Sequence, residues 1–279
     1  MAHRGVEQLR RLVARLLRDD SGDIVILHVD SKSDISDADI AAIRKAHQGS
    51  RVIATRRIDC RWGHPSLCEV MFLLMNELRG MDYDYAHLIS GQDWPVASKP
   101  AIVEAVRPGA CYIGVESGAM ESRMNGFHFH NFMISPHISP GLGRRTLRTL
   151  LIAAGRARTG FARISGAART CPFGPVWNKG EAWWSLPRAA IEWLRPAMEQ
   201  SIRSGRLRHT VCSDEHLPQT LIAYSSFAGA TERDRRFVRR DGSNVTLTLG
   251  REDLPALRAS DSWFARKCDL SLDPFFLEL

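Results

Sequence analysis

Several features that would assign a protein class at once are missing from this sequence of 279 residues. It has no run of about 18 or more apolar residues, so no transmembrane helix is encoded, and its charged amino-terminal region does not resemble a secretory signal. It also has no internal repeat, no low-complexity linker, no helix-turn-helix pattern and no basic–aromatic RNA-binding signature. We therefore expect a single domain over residues 1–279 that is cytoplasmic or peripherally associated with a membrane.

Cysteine pairs at the spacing of a metal site are missing as well. The six cysteines lie far apart in sequence and form no CxxC pair. A closed zinc site would need ligand pairs about two to four residues apart, so this pattern argues against one. Because no export signal accompanies them, we expect reduced and mostly buried thiols.

Positive charge is in excess, with a formal net charge of +7. Residues 144–169 contain seven arginines and no acidic residue, and residues 233–240 are also rich in arginine. This distribution suits a polyanionic partner such as a nucleotide diphosphate, an anionic membrane surface or a nucleic acid. A solvated surface has the same composition, so charge alone does not choose a function.

Short apolar segments alternate with amphipathic helices along the first 115 residues. The pattern predicts strands at 24–29, 51–54, 84–90 and 110–115, and helices at 6–17, 37–46, 67–79 and 100–106. This alternation predicts an α/β fold with a doubly wound, mostly parallel sheet flanked by helices. Ligands of such sheets bind at the carboxyl ends of the strands, where residues 28–34 and 90–93 would lie.

The second half of the sequence is less regular. Residues 116–172 are rich in glycine, arginine and serine, and we interpret them as an insertion with a basic helix near 146–156. The remaining pattern predicts strands at 182–186 and 245–249, and helices at 189–202, 214–223 and 252–259.

Six short segments, in this order, resemble the core-2/I-branching glycosyltransferase family, which includes peptide O-xylosyltransferases. The strongest is YAHLISGQDWP at 85–95, and the others are LHVDSKS at 27–33, RWGHPS at 61–66, WWSLPR at 183–188, SDEHLPQTL at 213–221 and FARK at 264–267. Each segment is individually weak, and the resemblance comes from their common order.

The resemblance implies a GT-A-like fold and inverting transfer of N-acetylglucosamine or xylose from a UDP-sugar to an acceptor hydroxyl. The acceptor would be a glycan, glycolipid or peptide, and residues 116–172 would lie on the acceptor side. No cofactor or obligatory divalent metal is implied. The triplet at 82–84 has the DxD form of a metal-binding motif, but it precedes the predicted strand and would lie at the wrong end of the sheet.

On the donor side, the resemblance implies that cations replace a metal in neutralising UDP. Arg266 and Lys267 occupy the cationic tail of the family, and arginine and lysine both bind phosphate. The family has a second diphosphate-binding arginine in the segment before this tail. Its position in this sequence is ambiguous, because Asn244 stands near it while Arg239 and Arg240 lie a few residues earlier.

Four further residues are candidates for binding the nucleotide or the donor sugar: His28, Asp30, Trp62 and Asp93. Three of them have a structural alternative. His28 suits a satisfied histidine at a strand end, Trp62 suits the core, and Asp93 suits an Asx turn that holds its loop.

Glu215 is the candidate general base, because inverting transfer needs one carboxylate near the acceptor hydroxyl. Local sequence alone favours a capping role at a helix start, and the resemblance favours catalysis. Glu181 is a rival acid. Glu116, Glu181 and Trp183 are assigned to acceptor binding, with Arg123 a looser match.

His128 and His130 have a spacing that would let a strand offer both to a metal, but no third ligand is near in sequence. We therefore predict structural roles for them and no metal site.

The amino terminus suggests that a strand is missing. Family members open with a hydrophobic strand followed by a leucine-rich helix, and residues 1–5 resemble the tail of that strand. We therefore expect a sheet that lacks a central strand or carries a stub at 1–3.

Two alternatives to glycosyl transfer remain: a polyanion- or nucleic-acid-binding protein, and an inactive relative that binds sugar without turnover.

Overall fold

The computed structural model describes residues 1–18, 22–47, 51–129, 142–242 and 245–279. In these ranges the fold is mixed α/β. The α-helices are α1 (Val6–Leu16), α2 (Asp37–Ala46), α3 (Ser66–Glu77), α4 (Lys99–Ala105), α5 (Ser122–Asn125), α6 (Leu142–Ile164), α7 (Arg188–Arg203), α8 (Leu217–Ala223) and α9 (Leu254–Arg258).

The strands are short. They are β1 (Val25–Leu27), β2 (Val52–Ala54), β3 (Tyr85–His87), β4 (Trp94–Pro95), β5 (Cys111–Tyr112), β6 (Glu116–Ser117), β7 (Asn178–Lys179), β8 (Ser185–Pro187), β9 (Thr231–Glu232), β10 (Arg236–Val238) and β11 (Phe264–Arg266).

The described strands form several mixed sheets and not one mostly parallel sheet. β1 pairs with β2 in parallel, while β3, β8, β5 and β9 form a second sheet in that spatial order. β8 runs antiparallel to both β3 and β5. The expectation of a mostly parallel sheet did not include this strand reversal. Long stretches of chain separate β8 from both of its partners, so the connections permit either orientation and the apolar pattern of the sequence does not select one.

The helices of the first half agree with their predicted ranges. α2 begins at a capping box in which the Ser36 hydroxyl accepts from the Asp39 N–H and the Asp39 carboxylate accepts from the Ser36 N–H. α4 begins with Ser98 as its N-cap and a proline in the first turn, an arrangement that satisfies or removes amide donors at a helix start. These local signals are present in the sequence, which is why the boundaries could be predicted.

Three predictions in the second half need correction. The helix expected at 214–223 divides into a 3-10 turn at Ser213–Glu215 and α8, and the helix expected at 252–259 divides into a 3-10 turn at Arg251–Asp253 and α9. A proline in the first turn of α8 and of α9 lacks an N–H, which suits the start of a helix and not its interior. The strand expected at 245–249 is reduced to one bridge between Arg240 and Thr246.

The largest hydrophobic cluster lies between α3, α7 and β8, with Val70, Leu186 and Leu194 fully inaccessible to solvent. All six cysteines are free, and Cys68, Cys111, Cys212 and Cys268 are buried. The expectation of mostly buried cysteines is therefore confirmed, and their reduced state stays a prediction. None of the helices in the described ranges has the length and apolar character needed to cross a bilayer.

The first two residues form a strand stub between β1 and β3. Ala2 donates to the carbonyl of His28 (2.8 Å) and accepts from the N–H of Asp30 (2.9 Å). On its other side, the Met1 carbonyl accepts from the N–H of Gly91 (2.7 Å). The stub expected at 1–3 is thus present at Met1 and Ala2.

Candidate active site

The turn that carries Glu215 is fixed by contacts with two distant segments. Cys212, directly before it, has left-handed backbone (φ 51°) and donates its N–H to the Gly63 carbonyl (2.8 Å). The Glu215 carbonyl accepts from the N–H of Gly180 (2.9 Å). The Glu215 carboxylate is 26% exposed and forms an ion pair with Arg123, with Nη1 and Oε2 2.7 Å apart. The carboxylate is therefore held in place and still accessible.

Asp214 occupies a different environment from its neighbour. Its side chain is buried, and desolvation, followed by the charge of Glu215, raises the pKa of Asp214 to about 7. Its Oδ1 atom has no hydrogen-bond partner among the described residues. Cys212 and His216, the N-caps of the Ser213–Glu215 turn and of α8, make no side-chain capping bond. Asp214 and Glu215 both lie in the first turn of the 3-10 helix, where the helix dipole favours acids, so the structure agrees with the helix-start alternative for Glu215 as well as with an accessible base.

The acceptor-side candidates surround the segment between β7 and β8. Glu116 is exposed and lies opposite Lys179 in the pairing of β6 with β7. Glu181 follows two residues later, and its carboxylate forms an ion pair with Arg240. Because Gly180 donates to the Glu215 backbone, both Glu181 and Glu215 lie along this segment.

Trp183 connects these acids to the cationic tail. The guanidinium of Arg266 stacks over the Trp183 ring at 4.3 Å from its centroid. Arg266 is buried, with its Nε 3.4 Å from Oδ1 of Asp93. The adjacent Trp184 is buried in the core, and contact of Trp183 with an acceptor stays a prediction.

Lys267 differs in its contacts from Arg266, which lies beside Asp93, and from Arg240, which pairs with Glu181. It forms no ion pair or side-chain hydrogen bond with any described residue. Desolvation, together with the charges of Arg266 and Arg4, lowers the pKa of Lys267 below its ordinary value. Lys267, adjacent to Arg266 in sequence, is therefore a partly desolvated cation, and the charge of Asp93 offsets only part of the decrease in its pKa.

Two donor-side candidates have structural partners. Asp93 is fully buried, and its carboxylate accepts from the Ser90 N–H (2.7 Å) and hydroxyl (3.0 Å), which is the loop-holding alternative. His28 is buried and its Nε2 accepts from the Ile58 N–H (3.0 Å). Desolvation lowers the pKa of His28 to about 4, so the ring is neutral near pH 7. Contact of either residue with a donor stays a prediction.

The other two donor-side candidates flank the polar tip of β1. Both oxygens of Asp30 accept from Lys32 Nζ at 3.0 Å, and Lys32 also pairs with Asp59. Trp62 is 80% exposed, so the alternative that it fills the core is wrong. Its neighbour Gly63 contacts Cys212, which brings this exposed ring to the same region as the Glu215 turn.

The two candidates for the second diphosphate ligand are not equivalent. Arg239 is engaged by Asp253 (2.8 Å) and Glu252 (3.1 Å), away from the 180–183 segment. Arg240 pairs with Glu181 within that segment, and Asn244 lies outside the described residues.

Arg236 has a buried structural role that the sequence did not indicate. Arg236 donates to the carbonyls of Leu88 (3.2 Å) and Trp184 (3.0 Å), and desolvation lowers its pKa to about 10. No local pattern indicates this role, because both carbonyls belong to distant segments.

The remaining sequence candidates for metal binding lie elsewhere. Asp82 is exposed, pairs with Arg188 (2.7 Å) and precedes β3, whereas Asp93 follows it. His128 is buried with its Nε2 2.7 Å from the Ser122 carbonyl, and His130 lies outside the described residues. In the described part of the chain no three His, Cys, Asp or Glu side chains form a group suited to a metal ion.

Comparison with known families identifies the class of this protein. The model of the family described as Core-2/I-Branching enzyme matches residues 1–254. The chain therefore belongs to the core-2/I-branching enzyme family, which is a family of glycosyltransferases. A search of curated proteins finds no match. The matched range contains Glu215 and Arg240, and it ends before Arg266 and Lys267.

Proposed function

We propose that this protein transfers N-acetylglucosamine or xylose from a UDP-sugar to an acceptor hydroxyl with inversion, without an obligatory metal. The acceptor would be a glycan, a glycolipid or a peptide. The observation that carries the proposal is Glu215, an accessible carboxylate oriented by Arg123 on a segment that also contributes Glu181 and Trp183. A GT-A-like arrangement is part of the proposal, supported by the parallel β1–β2 pair and by polar residues following β1 and β3.

In the proposed step, Glu215 accepts the proton of the acceptor hydroxyl as its oxygen attacks the anomeric carbon. The bond from that carbon to the UDP oxygen breaks, and its electron pair remains on the β-phosphate. Lys267, assisted by Arg266 and Arg240, would stabilise this charge. An unpaired, partly desolvated cation suits this task, because it has a favourable interaction to gain only when the phosphate is present.

Association with a membrane surface is a further part of the proposal. On α6, Leu150, Phe161 and Ile164 are exposed on one face, flanked by Arg156 and Arg163. Apolar residues flanked by arginine are typical of helices that lie at an anionic bilayer surface. Phe161→Asp should weaken sedimentation with phosphatidylserine vesicles, whereas equal sedimentation of the variant would contradict this role.

A panel of UDP-sugars tests the proposed function. The protein is incubated with each donor and a mixed set of glycan and glycolipid acceptors, UDP release is measured, and the product anomer is assigned by NMR. We expect release from UDP-N-acetylglucosamine or UDP-xylose and a β-linked product. UDP binding without any release would support the inactive, sugar-binding relative. Salt-dependent DNA binding without UDP binding would support the polyanion-binding alternative.

A further inference from the structure

A large apolar groove lies between β1 and β3, at the side of the Met1–Ala2 stub away from Asp30. Its volume is about 980 Å³, and helices α1, α3 and α4 form its walls. The walls include Leu9, Leu12, Val13, Leu74, Leu78 and Ile102. Neither Glu215 nor Lys267 lines it, so the groove is separate from the candidate active site.

The hydrogen bonds of the stub show how a strand lying along the groove would pair with its neighbours. Ala2 bonds to His28 and Asp30 on one side, and Met1 bonds to Ile89 and Gly91 on the other. This alternation is the hydrogen-bond pattern of a central strand with a parallel neighbour on each side. If a strand occupied the position one residue before Met1, its carbonyl would lie opposite the N–H of His28. The carbonyl one residue earlier would lie opposite the N–H of Ile89.

Those two amides are available for pairing. Neither the His28 N–H nor the Ile89 N–H forms a hydrogen bond with another described residue. Buried backbone donors are almost always paired in folded proteins, so two unpaired donors along one apolar groove indicate a missing acceptor.

The amino group of Met1 provides a separate observation. It donates to the Ile89 carbonyl at 2.9 Å, the bond that an amide N–H would form at this position of a strand. Desolvation lowers the pKa of this ammonium to about 6, which reflects the cost of placing a charge there. A peptide bond at the same position would keep the hydrogen bond and remove the charge.

We propose that the groove binds one extended, apolar polypeptide strand, parallel to β1 and β3, whose carboxyl end meets Met1. The strand would be apolar on both faces, because helices cover the groove from both sides. Its backbone would join the β1–β2 pair to the sheet of β3, β8, β5 and β9 in one continuous sheet. This inference is independent of the chemistry proposed for Glu215.

Fusion of short extensions to Met1 tests the proposal in the full chain. The apolar extension is Met-Val-Ile-Val-Ile, and the polar control of equal length is Met-Ser-Asn-Ser-Asn. A third version, Met-Val-Ile-Pro-Ile, keeps the apolar character but removes the N–H that would reach the carbonyl of His87. Thermal unfolding and amide hydrogen exchange at His28 and Ile89 are compared with those of the unextended protein.

The apolar extension should raise the Tm by at least about 5 °C and slow exchange at His28 and Ile89 by about 100-fold or more. The proline version should give less than half of that Tm increase, and the polar version almost none. Equal Tm values for the three extensions, or unchanged exchange at both amides, would overturn the proposal. So would a dimer of the unextended protein with both amides already protected, because a second copy would then fill the groove.

Discussion

The acid half and the cation half of the candidate site differ in how their charges are balanced. On the acid half, Glu215 pairs with Arg123 and Glu181 pairs with Arg240. On the cation half, Lys267 has no ion pair within the described ranges and is partly desolvated. The protein thus orients these two carboxylates with its own cations, whereas Lys267 has no ion-pair partner among the residues that the structure describes. A diphosphate would supply the missing negative charge, so the two halves should respond differently to mutation.

The largest effect is expected on the acid half. Glu215→Gln removes the proton acceptor and retains the size of the side chain, so kcat should fall by about 10²–10⁴-fold. UDP affinity, measured by calorimetry, should change less than about twofold, because Glu215 is assigned to the acceptor. A parallel loss of UDP binding would indicate a structural glutamate. Glu181→Gln serves as the matched variant, and a larger loss there would transfer the role of base to Glu181.

Mutation of the cation half should lower kcat and UDP affinity together. Lys267→Ala is expected to lower kcat by about 100-fold and also to weaken UDP binding by about tenfold, because the same charge contacts the bound and the departing phosphate. Lys45→Ala, at an exposed position of α2, is the control and should change neither quantity. If UDP affinity survives Lys267→Ala unchanged, another residue neutralises the diphosphate.

A smaller effect is expected from the residue that orients the base. Arg123→Gln removes the ion pair with Glu215 and should lower kcat by about tenfold, with little change in UDP affinity. Arg203→Gln removes the exposed pair with Glu199 and is the matched control. Equal activity of the two variants would mean that Glu215 does not depend on Arg123 for its position.

The smallest effect concerns stability and its dependence on pH. Asp214 has a pKa of about 7 in the folded protein against an ordinary value of 3.8, so the folded state binds its proton more tightly than the unfolded state. The free energy of unfolding should therefore fall as pH rises from about 4 to about 7. Asp214→Asn should remove about 1–4 kcal/mol of this decline, measured by urea unfolding across that range. An identical pH slope in the variant would show that Asp214 ionises normally.

The parts of this structure that could be predicted from sequence depend on local signals. The capping box at Ser36 and Asp39 sets the start of α2, and the polar residues after β1 and β3 mark the strand ends. The orientation of β8 could not be predicted, because it depends on pairing with strands far away in sequence. For the same reason the pairing of Arg123 with Glu215, separated by 92 residues, has no periodic pattern that would reveal it.

In the candidate site, too, some features could be predicted from the sequence and others depend on the fold. The resemblance indicated Glu215, Arg266 and Lys267 as candidate site residues, whereas their electrostatic environments could be described only from the fold. The fold distinguishes Asp93, which holds its loop through Ser90, from Asp30, which pairs with Lys32 at the tip of β1, because both carboxylates are buried and only their partners differ. It also places Trp62 on the surface and Trp184 in the core, a distinction that aromatic content alone does not provide.

The central claim is that cations of the protein, and not a divalent ion, neutralise the diphosphate. The most direct test is a calorimetric titration of the wild-type protein with UDP, performed once in excess EDTA and once with Mn²⁺. We expect the same Kd within about twofold under both conditions, and a Kd about tenfold weaker for Lys267→Ala in each. UDP binding that disappears in EDTA and returns with Mn²⁺ would contradict it.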